Sequence, residues 1–131
     1  TIDGFSTSLI TFGNALLGIG EGAERGSLKI EVYEETESGV RSLSSYVAKD
    51  TSYAKEYKAY AVDRAASVLG LGTKRYGESD YLVFYFDGKD LFLAEKIPLA
   101  GDPETQRGCL VDGWFYAFGA SEFAVRQIFG K

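Results

Sequence analysis

Turn residues interrupt the chain at intervals of about eight to twelve residues, and this spacing constrains the fold more than any other feature. Short apolar stretches lie between the turns, and sixteen Gly stand against only two Pro. Regular short segments of this kind are typical of sandwiches, barrels and propellers. The nine Tyr and nine Phe also suit pleated, half-buried strands. The sequence therefore predicts an all-β fold.

The apolar stretches predict eleven strands in three groups. The first group comprises Phe5–Phe12, Ala15–Gly20, Ser27–Glu34 and Val40–Val47. The second group comprises Tyr57–Val62, Ser67–Gly72, Asp80–Phe86 and Leu91–Leu99. The third group has only three strands, namely Gly108–Val111, Trp114–Gly119 and Phe123–Phe129. Gly-containing pairs such as Asp112-Gly113 predict tight hairpin turns within the groups.

A short apolar phrase recurs at a period of about fifty residues, as LLGIG (Leu16–Gly20), VLGLG (Val68–Gly72) and FYAFG (Phe115–Gly119). Repeats of this length with four strands each are typical of antiparallel propeller blades. The chain is thus expected to form about two and three-quarter blades, with blade-like repeats near 5–47, 57–99 and 108–129 in one segment, 1–131. The glycines fit close packing better than phosphate binding, because the pattern G-x-G-x-x-G is not met.

Charge and composition exclude several functions. A net charge of −5 argues against nucleic acid, which needs clustered Lys and Arg. The absence of His removes Ser-His-Asp catalysis and imidazole metal sites, and neither a metal nor a cofactor is expected. The single Cys109 cannot form a disulfide within the chain, and no apolar run is long enough to predict a membrane span.

Longer connections at one end of the predicted strands carry the candidate binding residues, because ordered scaffolds concentrate recognition in such loops. Tyrosines beside cations can stack on a sugar or a peptide, so a protein or carbohydrate ligand is expected there. The candidates are Tyr53, Lys55, Tyr57, Arg75, Tyr76, Glu21, Glu24, Asp102 and Glu104.

Carboxylate pairs leave an enzymatic alternative open. Glycoside hydrolysis needs one protonated and one ionised carboxyl group, and the pairs Glu21 with Glu24 and Asp102 with Glu104 offer such groups. A hydrolase or lyase would then hold the rest of its site elsewhere. Glu34, Glu35 and Glu37 form a charge run that is more typical of a solvated turn.

The chain resembles the secreted bacterial and archaeal proteins with a C-terminal β-propeller distantly related to WD repeats. The resemblance covers nearly the whole chain in order. It is carried by DGFSTSLITFGNALLGIG, SLKIEVYEE, SYVAKDTSYAKEYKAY, YGESDYLVFYF and GCLVDGWFYAFGASEFAVRQI. It implies C-terminal blades in a secreted or cell-surface setting and transfers no catalytic residue. The WD signature is absent, since Gly113 precedes the only Trp, Trp114.

Two and three-quarter blades are too few to close a propeller ring. Strand edges and sheet faces of the chain would therefore be uncovered and would need partners. The partners expected are the remaining blades of one precursor or further copies of the chain. The function predicted is a non-enzymatic interaction or structural module. A filament subunit that assembles through strand edges is a further alternative.

Overall fold

The computed structural model describes residues 5–12, 15–21, 26–54, 59–119 and 121–128, without the side chains of residues 5–8 and 21. Over these residues the chain forms three antiparallel sheets, one after another in sequence. The prediction of an all-β fold with antiparallel strands is therefore confirmed.

The first sheet is a four-stranded meander. Its strands are β1 (Phe5–Phe12), β2 (Ala15–Glu21), β3 (Leu28–Thr36) and β4 (Gly39–Ala48), and each pairs with the next. All four lie within two residues of their predicted bounds, because alternating apolar residues and local turn residues mark them in the sequence.

The second sheet departs from the prediction at its first strand. Two short strands, β5 (Ser52–Tyr53) and β6 (Ala61–Asp63), both pair with β7 (Val68–Arg75), which is followed by β8 (Glu78–Phe86) and β9 (Leu91–Pro98). The predicted strand Tyr57–Val62 is therefore wrong in extent, since Ala59 and Tyr60 precede β6 and residues 55–58 lie outside the described part.

The connection between the predicted strands Ser67–Gly72 and Asp80–Phe86 is also shorter than expected. Thr73 to Arg75 pair with Asp80 to Glu78 and extend the β7–β8 ladder. Only Tyr76 and Gly77 remain in the turn, with φ angles of 50° and 81°. Positive φ at both central residues is typical of the hairpin turn whose twist matches its strands.

The third sheet has three strands, β10 (Arg107–Val111), β11 (Trp114–Phe118) and β12 (Phe123–Gln127). Asp112 and Gly113 turn the first pair with φ angles of 51° and 83°, as the sequence predicts.

The sheets stack in chain order around two apolar clusters. The first cluster joins the first and second sheets through residues such as Leu17, Ile30, Leu71 and Phe84. The second joins the second and third sheets through residues such as Val83 and Phe115. The second sheet is thus buried on both faces, whereas the first and third sheets each have one face that no described sheet covers.

The repeated glycine phrases do not occupy equivalent places in this stack. Leu17 and Leu71 both point into the first cluster from opposite sides, so the glycines beside them point away from it in opposite directions. Gly70 faces the third sheet, where an added Cβ would lie 2.7 Å from Tyr81 Cε1 and 2.8 Å from Phe115 Cζ. The glycine is needed there because two aromatic rings cross the strand.

Candidate functional site

An open groove lies at the end of the second sheet where β7 turns into β8 and β9 ends. Its volume is about 920 Å³. The lining residues come from β5, the β7–β8 hairpin, the segment 98–104 and the turn before β12. They are Ser52, Tyr53, Lys74, Gly77, Glu78, Ser79, Asp80, Pro98, Leu99, Ala100, Gly101, Asp102, Pro103, Glu104 and Glu122.

The segment after β9 is held in one shape by its own polar contacts. Asp102 caps a short 3-10 turn over Pro103–Thr105, and its Oδ1 accepts a hydrogen bond from the Glu104 amide at 3.0 Å. Ser79 Oγ donates to the Gly101 carbonyl at 2.8 Å, which fixes the segment to β8. The groove therefore has an ordered wall, because a side-chain cap and a cross-strand bond both hold it.

Five carboxylates and one lysine give the groove an acidic lining. Besides Asp102, two more of these carboxylates have structural partners. Glu122 Oε1 accepts from the Ala100 amide at 2.9 Å, and Asp80 Oδ2 lies 3.9 Å from Lys96 Nζ. Within the described ranges, no three acidic or Cys side chains converge closely enough to hold a metal ion.

Three of the predicted binding residues, Tyr53, Asp102 and Glu104, line this groove. Arg75 and Tyr76 lie beside it, at the β7–β8 turn. The Tyr76 ring is 75% exposed, its hydroxyl donates to Asp50 Oδ2 at 2.7 Å, and the Arg75 guanidinium carbon lies 5.1 Å from its centroid. The structure thus places these five predicted residues at one end of the second sheet.

The structure does not bring the remaining predicted residues to this groove. Lys55, Tyr57 and Glu24 belong to segments that the structure does not describe, and only the backbone of Glu21 is described, which pairs with Phe5 of β1 and Leu28 of β3.

Sequence reasoning missed Glu78, Asp80 and Glu122, which also line the groove. Glu78 and Asp80 belong to β8, and Glu122 precedes β12, so their meeting depends on strand pairing and sheet stacking. The only local feature of the sequence that points to these groove residues is the density of charged residues at the start of β8.

The acidic run in the β3–β4 hairpin contributes an ion pair between neighbouring strands. Glu34 of β3 forms an ion pair with Arg41, which lies opposite it on β4. The pair is largely exposed, so its contribution to stability is small. This contact fits a solvated hairpin.

The outer face of the third sheet is a second candidate surface, and here we call it the outer apolar face. Cross-strand register places three rows of side chains on it. The rows are Arg107, Phe118 and Phe123; Cys109, Tyr116 and Val125; and Val111, Trp114 and Gln127. Val111, Trp114, Phe118 and Phe123 are between 42% and 66% exposed. Contiguous exposed aromatic and aliphatic residues of this kind mark interaction surfaces.

The outer face of the first sheet has a different character. Glu31 lies there with Lys29, whose Nζ is 3.0 Å from its Oε1, and the Tyr33 hydroxyl donates to the same oxygen at 3.0 Å. Ser42 Oγ donates to Glu31 Oε2. Burial raises the pKa of Glu31, but these hydrogen bonds outweigh it and hold the pKa below its usual value. The centre of this face is therefore a satisfied polar network, and the exposed Leu9, Val40 and Val47 lie on the same face around it.

No protein-family model matches the chain, and neither curated proteins nor solved structures gave a match. Among the described residues, no helix is long and apolar enough to cross a membrane.

Proposed function

We propose that the chain is a propeller segment that acts as a non-enzymatic interaction or structural module, completed by further sheets of the same kind. The observation that carries the proposal is the outer apolar face, where Trp114 lies uncovered beside Val111 and Phe118 lies uncovered beside Phe123. The corresponding face of the second sheet is covered by the third sheet through the second cluster. A further antiparallel sheet is the occupant that continues this stack.

Two features of the described residues support the proposal. The three sheets succeed one another in chain order, as consecutive blades do. The first and third sheets are meanders in which each strand pairs with the next one along the chain. The further blades would belong to the same precursor or to other copies, and the resemblance to secreted propeller proteins supports a secreted or cell-surface setting.

The carboxylates of the groove support a structural use over hydrolysis. Asp102 caps the turn at Glu104, and Glu122 holds the Ala100 amide. A general acid needs a carboxyl group that is free to deliver its proton to a substrate oxygen. The hydrolase or lyase alternative thus has no specific observation in its favour, although a protein or carbohydrate ligand would fit the groove beside Tyr76.

Self-association of the purified chain tests the proposal. An uncovered apolar face should make the chain associate as its concentration rises, and sedimentation equilibrium measures the mass. The double variant Trp114→Gln with Phe118→Gln should shift the association constant downwards by about tenfold or more, because it removes two large apolar side chains. Leu93→Gln, at an exposed position of β9 in the second sheet, is the control and should associate as the wild type does.

A wild-type chain that stays monomeric at high concentration would contradict the proposal. Equal association constants for the double variant and the wild type would contradict it as well, since another surface would then be responsible.

A further inference from the structure

The third sheet ends one strand earlier than the other two. In the first sheet β3 pairs with β4 on its far side, and in the second sheet β8 pairs with β9. β12 pairs with β11, and no strand in the described ranges pairs with its other edge. An unpaired edge presents backbone donors and acceptors in the order that another strand needs.

The direction of one hydrogen bond identifies the groups at this edge. The Ile128 amide donates to the Gly113 carbonyl at 2.8 Å, so the amides of Ala124 and Arg126 also point towards β11. The amides and carbonyls of the alternate residues of β12 point outwards, away from β11. They belong to Phe123, Val125 and Gln127, and the Val125 carbonyl accepts a hydrogen bond from Arg126 Nη1 at 3.0 Å that an added strand would replace.

An apolar side chain lies uncovered beside the open edge. β12 packs near β9, because Arg126 Nε lies 3.9 Å from Glu95 Oε1. Phe92 pairs with Tyr85, on the face of the second sheet that is turned towards the third sheet. Phe92 is nevertheless 47% exposed.

The interface between the first two sheets shows how such a strand packs. β4, the last strand of the first sheet, lies against the second sheet, where the Tyr46 ring meets Phe84 edge-on at a centroid distance of 4.9 Å. Ser44 Oγ accepts a hydrogen bond from the Leu91 amide at the start of β9. A strand beside β12 would continue this arrangement on the opposite face of β9.

A second copy that pairs β12 with β12 fits less well. Antiparallel pairing of two identical edges needs a twofold axis perpendicular to the sheet. That axis places both second sheets on one side of the joined third sheets, so the two β9 strands would compete for the same space. A single extended segment avoids this conflict.

We propose that the open edge of β12 binds one extended peptide segment by strand addition, with an apolar side chain of the segment packed on Phe92. Backbone hydrogen bonds give affinity in this mode, and alternate side chains give specificity. The inference deepens the proposed function, because it names the partner of the third sheet at its edge.

The probe is a synthetic peptide with the sequence of residues 40–48, VRSLSSYVA, which forms most of β4 in this chain. Hydrogen exchange of the full chain is followed by NMR with and without the peptide. The outward amides of Phe123, Val125 and Gln127 should exchange at least about tenfold more slowly with peptide present. Those of Ala124 and Arg126, already bonded to β11, should change little.

Two variants make the test specific. Val125→Pro removes an outward amide and leaves every bond to β11 in place, so it should abolish peptide binding while the unfolding midpoint is kept. Phe92→Ala should weaken binding by about tenfold, because it removes the apolar contact. Trp114→Gln is the control and should bind the peptide as the wild type does.

The absence of protection at millimolar peptide overturns the inference, and so does undiminished binding by both Val125→Pro and Phe92→Ala. The proposed function fails by a different result, because self-association depends on Trp114 and should be unchanged in Phe92→Ala, whose residue lies on β9 of the second sheet. The two failures are therefore distinguishable.

Discussion

Substitution of Gly70 by Ala tests the packing between the second and third sheets. The added Cβ would lie 2.7 Å from Tyr81 Cε1 and 2.8 Å from Phe115 Cζ, whereas carbon atoms pack best at about 3.5–4.0 Å. Both rings are fully buried and belong to the same cluster, so they must move by about 1 Å against other side chains. Overpacking of this kind costs about 1–3 kcal/mol.

The effect of the substitution on the unfolded chain offsets part of this cost. Ala restricts the unfolded backbone more than Gly does, which favours folding by about 0.4–1 kcal/mol. The net loss for Gly70→Ala is then about 1–2 kcal/mol. With a urea slope of about 2 kcal/mol per molar, the unfolding midpoint should fall by about 0.5–1 M. Circular dichroism in a urea titration measures this midpoint.

A double-mutant cycle identifies the ring that is responsible. Phe115→Leu removes the ring atoms nearest the new methyl, so it should cost less in the Gly70→Ala background than alone, with a coupling of about 1 kcal/mol. Phe86→Leu makes the same change in the cluster on the other face of the second sheet and should be additive with Gly70→Ala. An unchanged midpoint for Gly70→Ala, or additivity with Phe115→Leu, would refute the reasoning.

Two further substitutions address polar groups, one in the core and one on the outer face of the first sheet. The Tyr81 hydroxyl is buried and has no hydrogen-bond partner among the described residues, so Tyr81→Phe should raise the free energy of unfolding by about 1 kcal/mol. Burial also raises the pKa of Tyr81, so the wild type should lose stability as the pH rises above the phenol's usual pKa, and Tyr81→Phe should lose less in an alkaline urea series. Ser42→Ala removes a hydrogen bond that lowers the pKa of Glu31 and should cost about 1 kcal/mol near neutral pH. A lowered pKa stabilises the fold above the ordinary carboxyl pKa, so this difference should vanish in acid as Glu31 becomes protonated, and a difference that persists there would contradict the assignment.

The sequence predicts the parts of the fold that local chemistry decides. Asp112 and Gly113 mark their hairpin because both need positive φ, and residue type alone reports that need. β5 and β6 are different, because they are strands only through pairing with β7, which lies later in the chain. A short segment defined by a distant partner has little periodicity of its own.

The residues of the candidate site also divide into those that local sequence predicts and those that depend on distant parts of the chain. Asp102 could be predicted because it belongs to a turn signal before Pro103. Asp80 and Glu122 could not, because β8 and the turn before β12 meet only when the sheets stack. The glycine phrases show the limit of local similarity, since Gly18 and Gly70 occur in similar phrases but point in opposite directions within the stack.

The thiol of Cys109 provides the most direct measurement on the outer apolar face, because it is exposed there and is the only cysteine of the chain. Its rate of alkylation by iodoacetamide is measured as the protein concentration rises. If a further sheet covers this face, the rate should be highest in dilute solution and fall as copies associate, while the double variant Trp114→Gln with Phe118→Gln keeps the dilute rate throughout. A rate that stays constant at concentrations where the wild type associates would contradict the account.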